Sequence, residues 1–133
     1  MPTGKIGGKA TFKLTPDSGC KAIRMYWQGK IESPVLRAGL ERLIRLLQEH
    51  QFSRVLCDLR SAEVPEEEDS AWIRENWLPR ATGAGFRKFS AVEPTIIITF
   101  LHAKRTCAHA QNLGIEGKFF TKLEAAHFWL VSQ

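Results

Sequence analysis

Apolar residues recur along this chain at two spacings, and the switches between them lay out an ordered set of elements. Phe12 and Leu14 alternate with Thr11 and Lys13, the period-2 pattern of a short strand over 10–14. Pro16-Asp17-Ser18-Gly19 is a turn signal, and 22–31, with Tyr26 and Trp27, reads as the returning strand of a hairpin. Ser33-Pro34 predicts an N-cap followed by proline at the first helical position, where its missing N–H is harmless. Leu36, Leu40, Leu43, Ile44 and Leu47 then recur at helical spacing. Arg37, Glu41, Arg45 and Glu49 lie on the other side, so 34–51 reads as an amphipathic helix.

The short apolar run 54–59 has the character of a strand buried on both faces. Pro65 followed by Glu66, Glu67, Glu68 and Asp69 opens a second helix, because carboxylates favour the positive end of the helix dipole. Trp72, Ile73 and Trp77 supply its expected buried stripe. Thr82-Gly83-Ala84-Gly85 ends that helix, 86–92 reads as a strand, and Glu93-Pro94 breaks it. The stretch 95–112 carries two signals. Its β-branched start, Thr95-Ile96-Ile97-Ile98-Thr99, favours a strand, while its 18 residues without Gly or Pro favour a helix, the reading adopted. A short edge strand at 118–120 and a helix at 122–130 close the chain. The order β-β-α-β-α-β-α-β-α predicts an α/β fold: an opening hairpin, then parallel strands joined by right-handed crossovers. One domain is expected over 10–133, after a flexible glycine-rich tail at 1–9.

Composition adds little to this picture, and charge adds more. With 133 residues, 44% apolar and 25% charged, the chain is neither disordered, collagenous nor a coiled coil. No apolar run reaches the roughly 20 residues of a membrane span, and 1–10 lacks the apolar segment of an export signal. Cys20, Cys57 and Cys107 are odd in number and widely spaced, as expected of reduced thiols in a cytoplasmic protein. The net charge of +5 is unevenly distributed. Residues 1–60 hold 11 basic and 5 acidic groups (+6), 61–78 hold 1 and 6 (−5), and 79–133 hold 7 and 3 (+4). The basic residues are scattered through every element, which disfavours a nucleic-acid partner.

Candidate chemistry is sparse. Gly83-Ala84-Gly85 falls between helix and strand, the wrong order for a phosphate cradle. His102, Cys107 and His109 share one helix without metal-ligand spacing, so no metal and no cofactor is expected. No nucleophile carries an elbow or cap motif, so no catalytic residue is assigned and the chain is read as a non-enzyme. Cys57 reads as an inert core thiol. Asp58 and Arg60 are more suggestive. Two residues apart, they share a face at the carboxyl end of the 54–59 strand, where open α/β sheets place ligands. Either they bond the adjacent loop and the acidic helix start, or they contact a partner or ligand.

Five segments carry a family resemblance: Tyr26-Trp27-Gln28-Gly29; Val55-Leu56-Cys57-Asp58-Leu59-Arg60, a strand with a D-x-R ending; Glu68-Asp69-Ser70-Ala71-Trp72; Phe119-Phe120; and Glu124-Ala125-Ala126-His127-Phe128-Trp129-Leu130. In that order, over 20–130, the chain resembles the SpoIIAA-like branch of the STAS superfamily, the bacterial STAS/SEC14-type domains. The resemblance implies a mixed four- to five-stranded sheet with helices packed mainly on one side. It also implies a non-enzymatic domain for protein–protein regulation, or for apolar ligands through the relation to CRAL-TRIO lipid carriers. Anti-anti-sigma members of the superfamily are switched by phosphorylation of a serine in a D-S-x-G-type turn, and Ser70 stands nearest that place. Here no glycine follows it, and Glu66, Glu67 and Glu68 precede it, so a phosphate would be repelled.

Two functions are therefore expected in competition. The first is a regulatory interaction domain meeting a protein partner, or a second copy of itself as a homodimer. Its contact residues would be Asp58, Arg60, Glu66, Glu67, Glu68, Asp69, Ser70 and Trp72. The second is a carrier or sensor for a lipid or other apolar molecule, held among Trp27, Phe86, Phe100, Phe119, Phe128 and Trp129.

Overall fold

Residues 10–132 are described by the computed structural model; the tail expected at 1–9 lies outside them. Strands β1 (Thr11–Asp17) and β2 (Ala22–Gly29) form the antiparallel hairpin, and the strands that follow add in parallel. These are β3 (Arg54–Ala62), β4 (Lys88–Val92) and β5 (Glu116–Phe120), giving one five-stranded mixed sheet in the order β1-β2-β3-β4-β5. The helices are α1 (Ser33–His50), α2 (Glu67–Trp72), α3 (Leu78–Gly83), α4 (Ile97–Asn112) and α5 (Leu123–Val131). None is long and apolar enough to cross a membrane among the described residues.

Alternation along the strands sorts the helices. Ile23, Met25 and Trp27 of β2, Val55 and Cys57 of β3 and Ala91 of β4 form one core with α1, α3 and Ala110 of α4. Leu56 and Val92 point the other way and pack on Ala126 and Leu130 of α5. Four helices thus cover one face and α5 covers part of the other, burying Ala22 of β2 but leaving most of the outer face of β1 and β2 open.

Several boundaries differ from expectation for identifiable reasons. Strand β1 continues through Pro16 to Asp17, which an edge strand tolerates because it needs no N–H there, so the turn moves to 18–21. Ser33 does not cap α1. The cap position is Glu32, and the Ser33 hydroxyl instead donates to Asp69 Oδ1 at 2.7 Å. The second predicted helix is split: Ile73–Trp77 is a π-turn joining α2 to α3, with the Leu78 N–H reaching back to the Ile73 carbonyl. Pro79 follows immediately, and a widened turn is one way a helix accommodates a residue that cannot donate. Helix α4 begins at Ile97, two residues after the expected Thr95, whose N–H and hydroxyl both bond the Arg60 carbonyl. Finally, β3 runs on to Ala62. Its pairing with β2 steps from Tyr26↔Asp58 to Gln28↔Ser61, a bulge that returns Ala62 to the α1 core.

Candidate functional site

Helix α4 packs inside out. Its large side chains face solvent, with Ile97 75% and Ile98 64% exposed and Leu101 also exposed. The residues it turns toward the sheet are small or polar: Thr99, His102, Ala103, Thr106, Cys107 and Ala110. Small residues on the inner face leave space, and the result is a cavity of about 150 Å3 between α4, the α2–α3 unit and the sheet. Its other walls are almost wholly apolar and include Met25, Trp27, Trp77, Phe86, Phe89 and Phe119. Exposed Glu63 stands on its rim at the carboxyl end of β3, the end where open α/β sheets place ligands.

Besides Glu63 and Thr106, whose hydroxyl donates to the His102 carbonyl at 3.4 Å, four polar groups line the wall. Thr99 is 6% exposed, and its Oγ1 has no hydrogen-bond partner among the described residues. His102 shares a 2.7 Å hydrogen bond, Ser70 Oγ to His102 Nε2, that ties α2 to α4. Burial holds the His102 imidazole below its ordinary pKa, with the charges of Arg105 and Arg74 acting the same way, so the ring is neutral at pH 7. Burial pushes the Cys57 thiol up to about 12 and also raises Cys107. Both thiols are therefore protonated apolar wall, in keeping with the inert role expected of Cys57.

Of the aromatic residues expected to line a pocket, Trp27, Phe86 and Phe119 do so. Phe100 stands behind Phe119 with its ring centroid 5.3 Å away. Phe128 is exposed on α5, and Trp129 packs on Phe120 and the Lys88 ammonium. Phe128 and Trp129 diverge because α5 lies on the opposite face of the sheet, whereas Phe100 belongs to α4 and packs on the cavity residue Phe119 without lining the cavity itself.

The eight residues expected at a contact surface fall into two groups. Asp58 and Arg60 lie on the α5 side and pair with each other. Arg60 Nε and Nη2 donate to the two Asp58 oxygens at 3.0 and 2.8 Å, and the Arg60 N–H adds a third bond. The Arg60 bonds hold the Asp58 carboxyl below its ordinary pKa. Asp58 borders an open polar groove with Lys13, Arg24, Tyr26 and Gln28. Arg60 thus does not reach the acidic helix start.

That start lies on the α1 side and is answered there. Glu66 pairs with Lys30 at 2.9 Å and Glu67 with Arg74 at 3.5 Å. Asp69, 1% exposed, accepts from Arg37 Nε at 2.8 Å as well as from Ser33, fastening α2 to α1. The guanidinium groups of Arg37 and Arg80 lie over the Trp72 ring, 4.9 and 5.9 Å from its centroid. Only Glu66, Glu67 and Glu68 of this group are exposed, and Ser70 is fully buried.

Sequence reasoning took Thr99 only as part of a β-branched stretch and weighed His102 as a surface or packing residue against a metal ligand. The available signal was a polar pair three residues apart on a helix whose other inward positions are small. Among the described residues no cluster of His, Cys, Asp or Glu has metal-binding geometry. No family model matches the chain, and no curated protein matches it.

Proposed function

We propose that this domain is a non-enzymatic, ligand-responsive module of the STAS/SpoIIAA-like type, in which a small apolar molecule occupies the cavity under α4. The observation that carries this reading is the cavity itself. It is an apolar pocket half open to solvent; its walls offer water few polar partners, and its size suits a ring-sized apolar solute. The Ser70–His102 bond supports the sensor form of the reading, since a ligand that displaces α4 pulls on α2, whose exposed glutamates face any protein partner. The same pair does not favour hydrolysis. His102 lines the cavity, but Ser70 is fully buried and does not, so a substrate in the cavity would not meet its hydroxyl. Three buried free thiols suit a reducing compartment such as the cytoplasm.

Benzene is the simplest probe. At ten times its Kd it should stabilise the folded chain by about 1.4 kcal/mol, read as a shift in thermal unfolding. Native mass spectrometry of freshly purified protein should show an apolar passenger. Absence of both effects would remove the ligand reading. An interaction domain acting through surface charge alone would remain, and reversing Glu66, Glu67 and Glu68 together would then abolish partner capture.

A further inference from the structure

The outer face of β1 and β2 carries a second concavity, on the side of the sheet away from α4. Strand register sets Lys13 of β1 directly beside Tyr26 of β2, and Arg24 and Gln28 lie two residues to either side of Tyr26 on the same face. These four residues line an open groove. Its floor extends across β3 to Leu56 and Asp58, and its far bank is Leu123 at the start of α5.

The charged acceptors of this groove are engaged and its donors are not. Asp58 takes three bonds from Arg60. Asp17, beside Arg24, takes Arg24 Nε at 2.7 Å and the Gly19 N–H at 3.0 Å. The Tyr26 hydroxyl donates to Gln28 Oε1 at 3.2 Å, which occupies the amide oxygen and leaves the amide nitrogen. Among the described residues, the Lys13 ammonium, the two terminal nitrogens of Arg24 and the Gln28 amide nitrogen are then without partners. Glu124, in the first turn of α5, acts on Arg60 and is not part of the groove wall. A group of free donors whose neighbouring carboxylates are answered internally is complementary to an anion with several acceptor oxygens.

The donors form a patch around one residue, whereas a polymeric anion is held by cations spread along its backbone. Helix α5 interrupts any such track: Lys88 and Lys118 lie beyond it, against Trp129 and Phe120. Lys104 and Arg105 belong to α4, on the other side of the sheet. We infer that this groove binds a small multivalent anion, a phosphate ester or a polycarboxylate, held over Tyr26 by Lys13, Arg24 and Gln28. The site is separate from the pocket under α4 and does not depend on the reading of that pocket.

Calorimetric titration with pyrophosphate and with citrate, followed in parallel by amide NMR, tests the assignment on the natural chain and on Lys13→Gln, Gln28→Glu and Lys104→Gln. At least one of the two anions should bind at millimolar concentration and shift the amides of Lys13, Arg24, Tyr26 and Gln28. Lys13→Gln should weaken binding about tenfold, through loss of one charge-assisted bond. Gln28→Glu should abolish it, because a new carboxylate then faces the anion. Lys104→Gln removes the same charge from α4 and should change affinity by less than about twofold, which separates the groove from general attraction to a chain of net charge +5. The amide spectra also show that each variant keeps its fold. Binding of pyrophosphate alone assigns a phosphate ester, and of citrate alone a polycarboxylate; either supports the groove. If neither anion binds at millimolar concentration, or if Lys104→Gln weakens binding as much as Lys13→Gln, the assignment is overturned. An oligo-aspartate or oligothymidylate that binds more than about tenfold tighter than both small anions overturns it in favour of a polymeric partner.

Discussion

Replacing Cys107 by leucine tests whether the space under α4 is real. Cys107 is buried on the inner face of α4 and lines the cavity of about 150 Å3. At about 24 cal/mol per Å3 for an enclosed cavity, filling this half-open space would recover at most roughly 3.6 kcal/mol. Leucine fills only part of it. Its two additional heavy atoms contribute about 1.6 kcal/mol at about 0.8 per buried group. Its better helix propensity adds about 0.5 kcal/mol, and fixing its rotamer costs about 0.5 to 1. The net expectation is stabilisation by about 1 kcal/mol, or a rise in Tm of about 4 °C for a chain of this size. Urea unfolding should show a higher midpoint at unchanged slope.

The same substitution should weaken benzene binding by at least about tenfold, since a ring fills a space of this volume and leucine takes part of it. The sign of the stability change is what discriminates. In a core already packed to normal density, adding two heavy atoms costs about 1–3 kcal/mol by overpacking. A lower urea midpoint for Cys107→Leu, or benzene affinity equal to that of the natural chain, would refute the reasoning.

Trp77 is buried against the cavity and its Nε1 donates to the Leu40 carbonyl at 2.8 Å, so Trp77→Phe should destabilise by about 2–3 kcal/mol in urea unfolding. Asp58→Asn removes a carboxylate whose partner Arg60 is largely in water, so its effect at pH 7 should stay below about 1 kcal/mol. The folded Asp58 pKa is depressed, so the pair stabilises above a pH of about 4 and ceases to do so as pH falls through the folded value; the two chains' urea midpoints should converge by about pH 2. His102 is depressed too, so the neutral ring's contribution is complete above a pH of about 6.5 and lost as pH falls through the lower folded value. Its pKa measured by NMR should lie below that of a free imidazole, and His102→Phe should flatten the loss of stability between about pH 7 and 5.

The α/β order and the mixed sheet were legible because each element carries its own signal. Alternation marks β1 and β2, the Leu36-to-Leu47 stripe marks α1, and the glutamates before Asp69 mark the start of α2. The pairing of Asp58 with Arg60 was only half legible. Alternation put them on one face, but which partner Arg60 takes depends on the bulge beside it and on which side of the sheet α2 lies, and both are tertiary. The acidic block at 61–78 looked like a surface feature because charge along a sequence is blind to what folds against it. Lys30 and Arg37, brought up from the β2–α1 region, answer two of its carboxylates.

The cavity was hidden for a further reason: periodicity counts apolar positions and says nothing of how far apart two faces stand. In α4 the apolar residues with bulk are on the outside, and Thr99, Ala103, Cys107 and Ala110 are on the inside, so composition reads as a core helix while the geometry leaves a hole. That hole also bounds the function. Recovering about 3.6 kcal/mol by filling it corresponds to a Kd of a few millimolar, which is the most that shape alone can supply to a ring. A ligand held much more tightly than that must widen the cavity by displacing α4, and the Ser70–His102 bond is then the first polar contact it disturbs. Affinity and signalling are thus coupled in this geometry: the more tightly a solute is held, the further it has to move the helix.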